Sequence, residues 1–108
     1  MAIKSTRLDT TETTVYTSSG NSAITVIYFC NTATGPLSIN VHAVPAGYTA
    51  SADNLMYYSV QIAPTDTFVI DTERLVLDAS DSIVALVSAG TVGPTDPSVI
   101  ATVSYMDI

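Results

Sequence analysis

The 108-residue chain predicts an all-β fold, an antiparallel β-sandwich of immunoglobulin-like or jelly-roll type with about seven to eight short strands. Three observations carry that expectation. Apolar and polar residues alternate with a period of two in one run after another. Clusters of turn formers interrupt those runs about every eight to twelve residues, and no segment carries an amphipathic helical stripe of any length. A true antibody domain is excluded, because its cysteine–tryptophan–cysteine set needs a tryptophan and two cysteines, and the chain has no tryptophan and one cysteine.

Taken in order, residues 1–11 have weak periodicity and read as an N-terminal arm or an edge strand ahead of a single domain over 12–108. Residues 13–17 (TTVYT) are β-prone, and Ser18-Ser-Gly-Asn21 ends them with turn chemistry. Residues 23–30 put Ala23, Thr25, Ile27 and Phe29 on one face and Ile24, Val26, Tyr28 and Cys30 on the other, as for a strand covered on both sides. Residues 37–44 alternate Leu37, Ile39, Val41 and Ala43 with Ser38, Asn40, His42 and Val44, which predicts one buried face and one wet face. The polar turn 31–36 between them suggests a hairpin, with Ile27, Phe29, Ile39 and Val41 in the core. Residues 46–54 form a connection long enough to cross between sheets.

A strand over 55–62 follows, with Met56, Tyr58, Val60 and Ile62 on one face and Leu55, Tyr57, Ser59 and Gln61 on the other. Residues 67–71 form a short strand, and Leu75, Val76 and Leu77 form another within 72–78. Residues 82–89 (SIVALVSA) read as a buried strand, 90–97 as a loop with two glycines and two prolines, and 98–106 as the last strand.

Composition narrows the function classes. Apolar residues at 47% support one packed core, and charged residues at 12% are about half the usual share, which suggests a surface that meets other protein. A net charge of −7 argues against nucleic-acid binding, which needs basic patches to displace counterions from phosphate. Two of the three cations, Lys4 and Arg7, precede every acid, so a short basic segment leads an acidic body and could dock on an acidic neighbour. No apolar run reaches the length of a membrane span and no signal-peptide core follows Lys4, so the expectation is a soluble chain without Sec export.

Chemistry is thin. His42 is the only histidine and would have to be the base of any acyl-transfer triad, yet no glycine-framed serine elbow accompanies it. One histidine and one cysteine cannot complete a tetrahedral zinc site, and Cys30 reads as a buried inert thiol. The carboxylates Asp66, Asp71, Glu73, Asp78 and Asp81 raise the question of calcium, but they match no EF-hand spacing, and turns enrich aspartate for backbone reasons alone. The expectation is no enzyme, no cofactor and no metal. Tyrosine is the recognition residue in excess, six in all, and Tyr48 and Tyr57 join Lys4 and Arg7 as candidate partner-binding residues.

Several runs in fixed order resemble a group of small tailed-bacteriophage virion proteins. They are VIYFCNT (26–32), VHAVPAG (41–47), ADNLMY (52–57), VQIAP (60–64), FVID (68–71) and LVLDASDSI (75–83), within a pattern that covers roughly residues 12–106. The resemblance implies a β-sandwich without catalytic residues, located on the capsid surface of the virion and synthesised in the host cytoplasm. Its expected role is capsid decoration (cement), as a homo-oligomer, trimer or dimer, bridging subunits of the major capsid protein. The alternatives are a tail, fibre or baseplate module contacting the host surface and, further off, a stand-alone carbohydrate-binding sandwich. Residues 1–9 lie outside the pattern, so a docking role for Lys4 and Arg7 rests on their charge alone, with the expectation that deleting the arm leaves the fold intact.

Overall fold

The computed structural model describes residues 2–71, 75–90, 92 and 97–108. Nine strands form among them: β1 Ala2–Arg7, β2 Thr13–Thr17, β3 Ser22–Asn31, β4 Leu37–Val44, β5 Leu55–Ile62, β6 Thr67–Ile70, β7 Leu75–Leu77, β8 Ser82–Ala89 and β9 Val99–Asp107. A 3₁₀ turn, Ala52–Asn54, precedes β5. Sheet I has the order β1-β9-β3-β6, with β7 pairing β3 beyond β6, and sheet II has the order β2-β8-β4-β5. Every pairing is antiparallel.

β6 and β7 occupy one edge of β3 in succession, β6 along Ile27–Cys30 and β7 along Ser22–Ile24, so together they act as a single interrupted strand. Counted that way the chain has eight strand positions, paired first with last, second with seventh, third with sixth and fourth with fifth. That is a long hairpin rolled onto itself, the jelly-roll arrangement rather than the immunoglobulin one.

The core lies between the sheets. Ile27 and Phe29 of β3, Ile39 and Val41 of β4, Ile83 and Ala85 of β8, and Val99, Ala101 and Val103 of β9 are fully or almost fully buried. The four residues expected in the core are all there. At one end Tyr16 and Tyr105 pack ring to ring with centroids 4.3 Å apart, and the Tyr16 hydroxyl donates to Ser22 Oγ at 2.9 Å.

Strand positions follow the sequence closely, but their pairing does not. β3 and β4 are no hairpin: β3 belongs to sheet I and β4 to sheet II, and residues 32–36 carry the chain across. The connection 45–54 stays within sheet II, because β4 pairs directly with β5. A turn-forming loop is compatible with either connection, so only the tertiary partners decide.

Of the two readings of the N-terminal segment, arm or edge strand, residues 2–11 follow the second. β1 pairs with β9 over six consecutive residues, Leu8 is 0% exposed inside the core, and the Asp9 carbonyl accepts from Val87 N at 2.8 Å. The segment is the edge strand of sheet I and then the crossing to sheet II. Removing it would take a core leucine with it.

β3 is covered on one side only. A register shift between Ile24 and Val26 turns both Ile24 and Ile27 inward, while Tyr28 is exposed and Cys30 half-buried on the outer face. The thiol is therefore not a core residue.

Candidate interaction surface

The residues of chemical interest turn out mostly to be structural pins. His42 lies on the outer face of sheet II, where alternation predicts water, yet it is only 5% exposed. The 45–54 connection folds back over it, and His42 Nδ1 lies 3.0 Å from the Ser51 carbonyl and 2.9 Å from Asn54 Oδ1. Both partners are acceptors, so Nδ1 carries the proton and donates to them. Asn54 completes the clip, accepting from Ser51 N at 3.0 Å and donating through Nδ2 to the Thr49 carbonyl at 2.9 Å. With its proton-bearing nitrogen committed to loop acceptors, His42 holds the connection down.

Asn31 does the same at the opposite end of the strands. It is fully buried, its Nδ2 donates to the carbonyls of Gly35 at 3.0 Å and Ile62 at 2.9 Å, and its Oδ1 accepts from Ala33 N at 2.9 Å. One amide side chain thus joins β3, the crossing loop and the end of β5. Beside it, Thr32 Oγ1 donates to the Ser98 carbonyl at 2.7 Å, and Ser98 Oγ donates to the Leu8 carbonyl at 2.7 Å. No buried side-chain nitrogen or oxygen among the described residues lacks a partner.

The acids serve turns. Asp66 Oδ1 accepts from Thr67 N at 2.8 Å, and Asp81 accepts from Ala46 N through Oδ1 and from Asp78 N through Oδ2, at 2.8 and 2.9 Å. Glu73 lies outside the described residues. Among those described, no three histidine, cysteine or acidic side chains gather as metal ligands, and no helix is long and apolar enough to cross a membrane.

The four candidate partner-binding residues do not form one patch. Lys4 is exposed and Arg7 half-buried on β1, at the open edge of sheet I. Tyr48 stands 73% exposed on the 45–54 connection, above a hollow of about 290 Å³ that includes Glu12, Thr14 and Val84. Tyr57 faces the other way. Its ring meets Phe68 edge-on with centroids 5.4 Å apart and packs against the core, whereas Tyr58 is the exposed ring, also at 73%.

The exchange of faces has a local cause. Ile39 pairs with Val60 and Val41 with Tyr57, so Tyr58 and Ser59 together oppose Asn40 in a β-bulge. Ser59 takes a φ of 53°, and Asn40 Oδ1 accepts from its unpaired N–H at 2.8 Å. The extra residue exchanges the faces of Tyr57 and Tyr58, and a second register shift between Val41 and His42 restores the expected alternation at Met56 and Leu55.

A feature missed by residue-by-residue reading is the outer face of sheet I. Ile3, Tyr28, Val69, Val76 and Met106 are all exposed there, interspersed with hydroxyls such as Ser5 and Thr102, whose side-chain oxygens are 3.0 Å apart. Such a face suits contact with protein better than catalysis. Among the described residues the molecule is thus a jelly-roll sandwich with five exposed apolar side chains on the outer face of sheet I and Lys4 and Arg7 on that sheet's edge strand. No protein-family model matches the chain, and no curated protein and no solved structure matches it either.

Proposed function

We propose that the chain is a capsid decoration (cement) protein of a tailed bacteriophage, bound to the outside of the shell and bridging neighbouring subunits of the major capsid protein. The ordered motif set between residues 26 and 83 carries this reading. The jelly-roll sandwich is compatible with it, since that architecture serves in viral shells as well as in lectins. The outer face of sheet I, apolar and hydroxylated, supplies a surface for shell contact, and its edge strand supplies the two cations at Lys4 and Arg7. In this reading there is no catalytic step. Binding only the assembled shell stabilises it by mass action.

The structure changes how a docking role for β1 is tested. Deletion of residues 1–11 would remove a sheet strand and Leu8, so charge reversal at Lys4 replaces it. The deciding experiment is quantitative protein analysis with cryo-microscopy of purified virions. Copies on the order of hundreds, distributed over the shell, support decoration; copies on the order of tens, confined to the tail, replace it with a tail, fibre or baseplate module.

A further inference from the structure

We propose that the two edges of sheet I bind each other between copies of this chain, β1 of one copy adding to β6 of the next, so that the sheet runs on through the assembly. The proposal goes beyond the virion reading and does not depend on it.

Strand direction is the first argument. β1 is antiparallel to β9, β9 to β3 and β3 to β6, so β6 runs opposite to β1. A second copy displaced sideways along sheet I therefore presents an antiparallel partner to β1, and the alternation continues unbroken. Backbone N–H and C=O groups on both edges would then gain partners, as in strand addition generally, with Thr67 N–H the exception because Asp66 Oδ1 already takes it.

Register is the second. Four rows cross sheet I without a shift: Arg7–Ile100–Cys30–Thr67, Thr6–Ala101–Phe29–Phe68, Ser5–Thr102–Tyr28–Val69 and Lys4–Val103–Ile27–Ile70. Continuing these rows into the next copy sets Arg7 opposite Thr67, one residue from Asp66, and Lys4 opposite Ile70, one residue from Asp71. Both carboxylates are on exposed residues. Among the described residues flanking β6 and β7 the charged ones are Asp66, Asp71 and Asp78, all acids, whereas β1 holds cations only. Lys4 lies in an inward-facing row, which is a device that blocks pairing with unsuitable edges. Asp71 continues into the adjacent row, so it attracts Lys4 along the edge rather than as a facing pair, and an acidic edge is favoured as partner over a neutral or basic one.

The contrast with sheet II is the third. Both of its edge strands are broken by register shifts, β2 between Thr14 and Tyr16 and β5 on either side of Val41. Bulges of this kind protect an edge from pairing. β1 and β6 have none. A head-to-tail contact is heterologous, so it builds either a closed ring or an open filament.

Sedimentation of the purified chain up to about 1 mM should show reversible association that weakens as salt rises. Lys4→Glu with Arg7→Glu should raise the dissociation constant about 100-fold or more, and so should Asp66→Asn with Asp71→Lys, each remaining folded by circular dichroism. Mixing the two double variants should restore association, because one keeps the basic edge and the other the acidic edge. With Cys30→Ser as background, Ser5→Cys combined with Val69→Cys should yield a disulfide-linked ladder, and neither change alone should. A monomer across the concentration range, association indifferent to the Lys4/Arg7 reversal, or dimers cross-linked through Ser5→Cys alone would overturn the proposal.

Discussion

Replacing Asn31 separates hydrogen bonding from shape, because leucine and aspartate match asparagine in size and differ in what they offer. Asn31→Leu strips a partner from the Ile62 carbonyl, the Gly35 carbonyl and the Ala33 N–H. Ile62 is buried, so its carbonyl forfeits about 1–3 kcal/mol, while Gly35 and Ala33 are half-buried and reach water for about 0.5–1.5 kcal/mol each. Some of this is offset by about 1 kcal/mol of apolar transfer, leaving a net loss of about 1–5 kcal/mol. In a domain of this size that lowers Tm by roughly 5–20 °C.

Asn31→Asp is worse at neutral pH, since a carboxylate has no proton to give to two carbonyls at 2.9 and 3.0 Å. Burial against carbonyls disfavours the charged form, so the introduced carboxyl titrates above its unfolded value of about 3.9. The sign follows. Its specific penalty is absent below about pH 3.9, where the group is protonated in both states, and grows as pH rises to the folded-state value. Urea unfolding followed by far-ultraviolet circular dichroism at several pH values measures this. An Asn31→Asp variant as stable as the parent at pH 7, or one whose deficit is the same at pH 4 and pH 7, would refute the assignment of Asn31 as the pin between β3 and β5.

Three further substitutions test other parts of the structure. Leu8→Ala should cost about 2–5 kcal/mol in chemical unfolding, because Leu8 is sealed in the core; a loose N-terminal arm would give a change near zero. His42→Leu leaves the Ser51 carbonyl and Asn54 Oδ1 without their shared donor, so amide exchange in residues 45–54 should quicken while global stability falls by about 1–2 kcal/mol. Gly90→Ala should destabilise by about 2–4 kcal/mol in thermal unfolding. Its φ is +110°, and an added Cβ would run into Leu37 Cδ2 and lie 3.0 Å from the Pro36 carbonyl oxygen.

The placement of β2 to β9 was legible because each strand is a local pattern, and local patterns survive folding. What lay between strands was not. The 31–36 turn formers fit a hairpin as well as a crossing, and only the pairing of β3 with β9 and of β4 with β8 distinguishes them. Face assignments failed where one extra residue broke the period of two, at Thr25 in β3 and at Tyr58–Ser59 in β5. His42 defied its alternation for a different reason: the residues that bury it come from a connection whose path no periodicity records. Lys4 and Arg7 were legible as charge, but their level with Asp66 and Asp71 exists only once four strands are in register.

The pairing of β1 with β9 sets a condition on biosynthesis. Ser5 and Thr102 bond across 97 residues of sequence, and β9 is also the strand that joins β1 to β3. Until the final segment leaves the ribosome, the first strand has no neighbour and Leu8 no finished pocket. At about 5–20 residues per second, that exposes the N-terminal apolar surface for roughly 5–20 s in every nascent chain. Closure is then a single late event with high contact order, on the millisecond-to-second scale of all-β domains. A chain interrupted shortly before Val99 would therefore be unable to close its sandwich at all, which makes the synthesis of β9 the step on which the whole of sheet I waits.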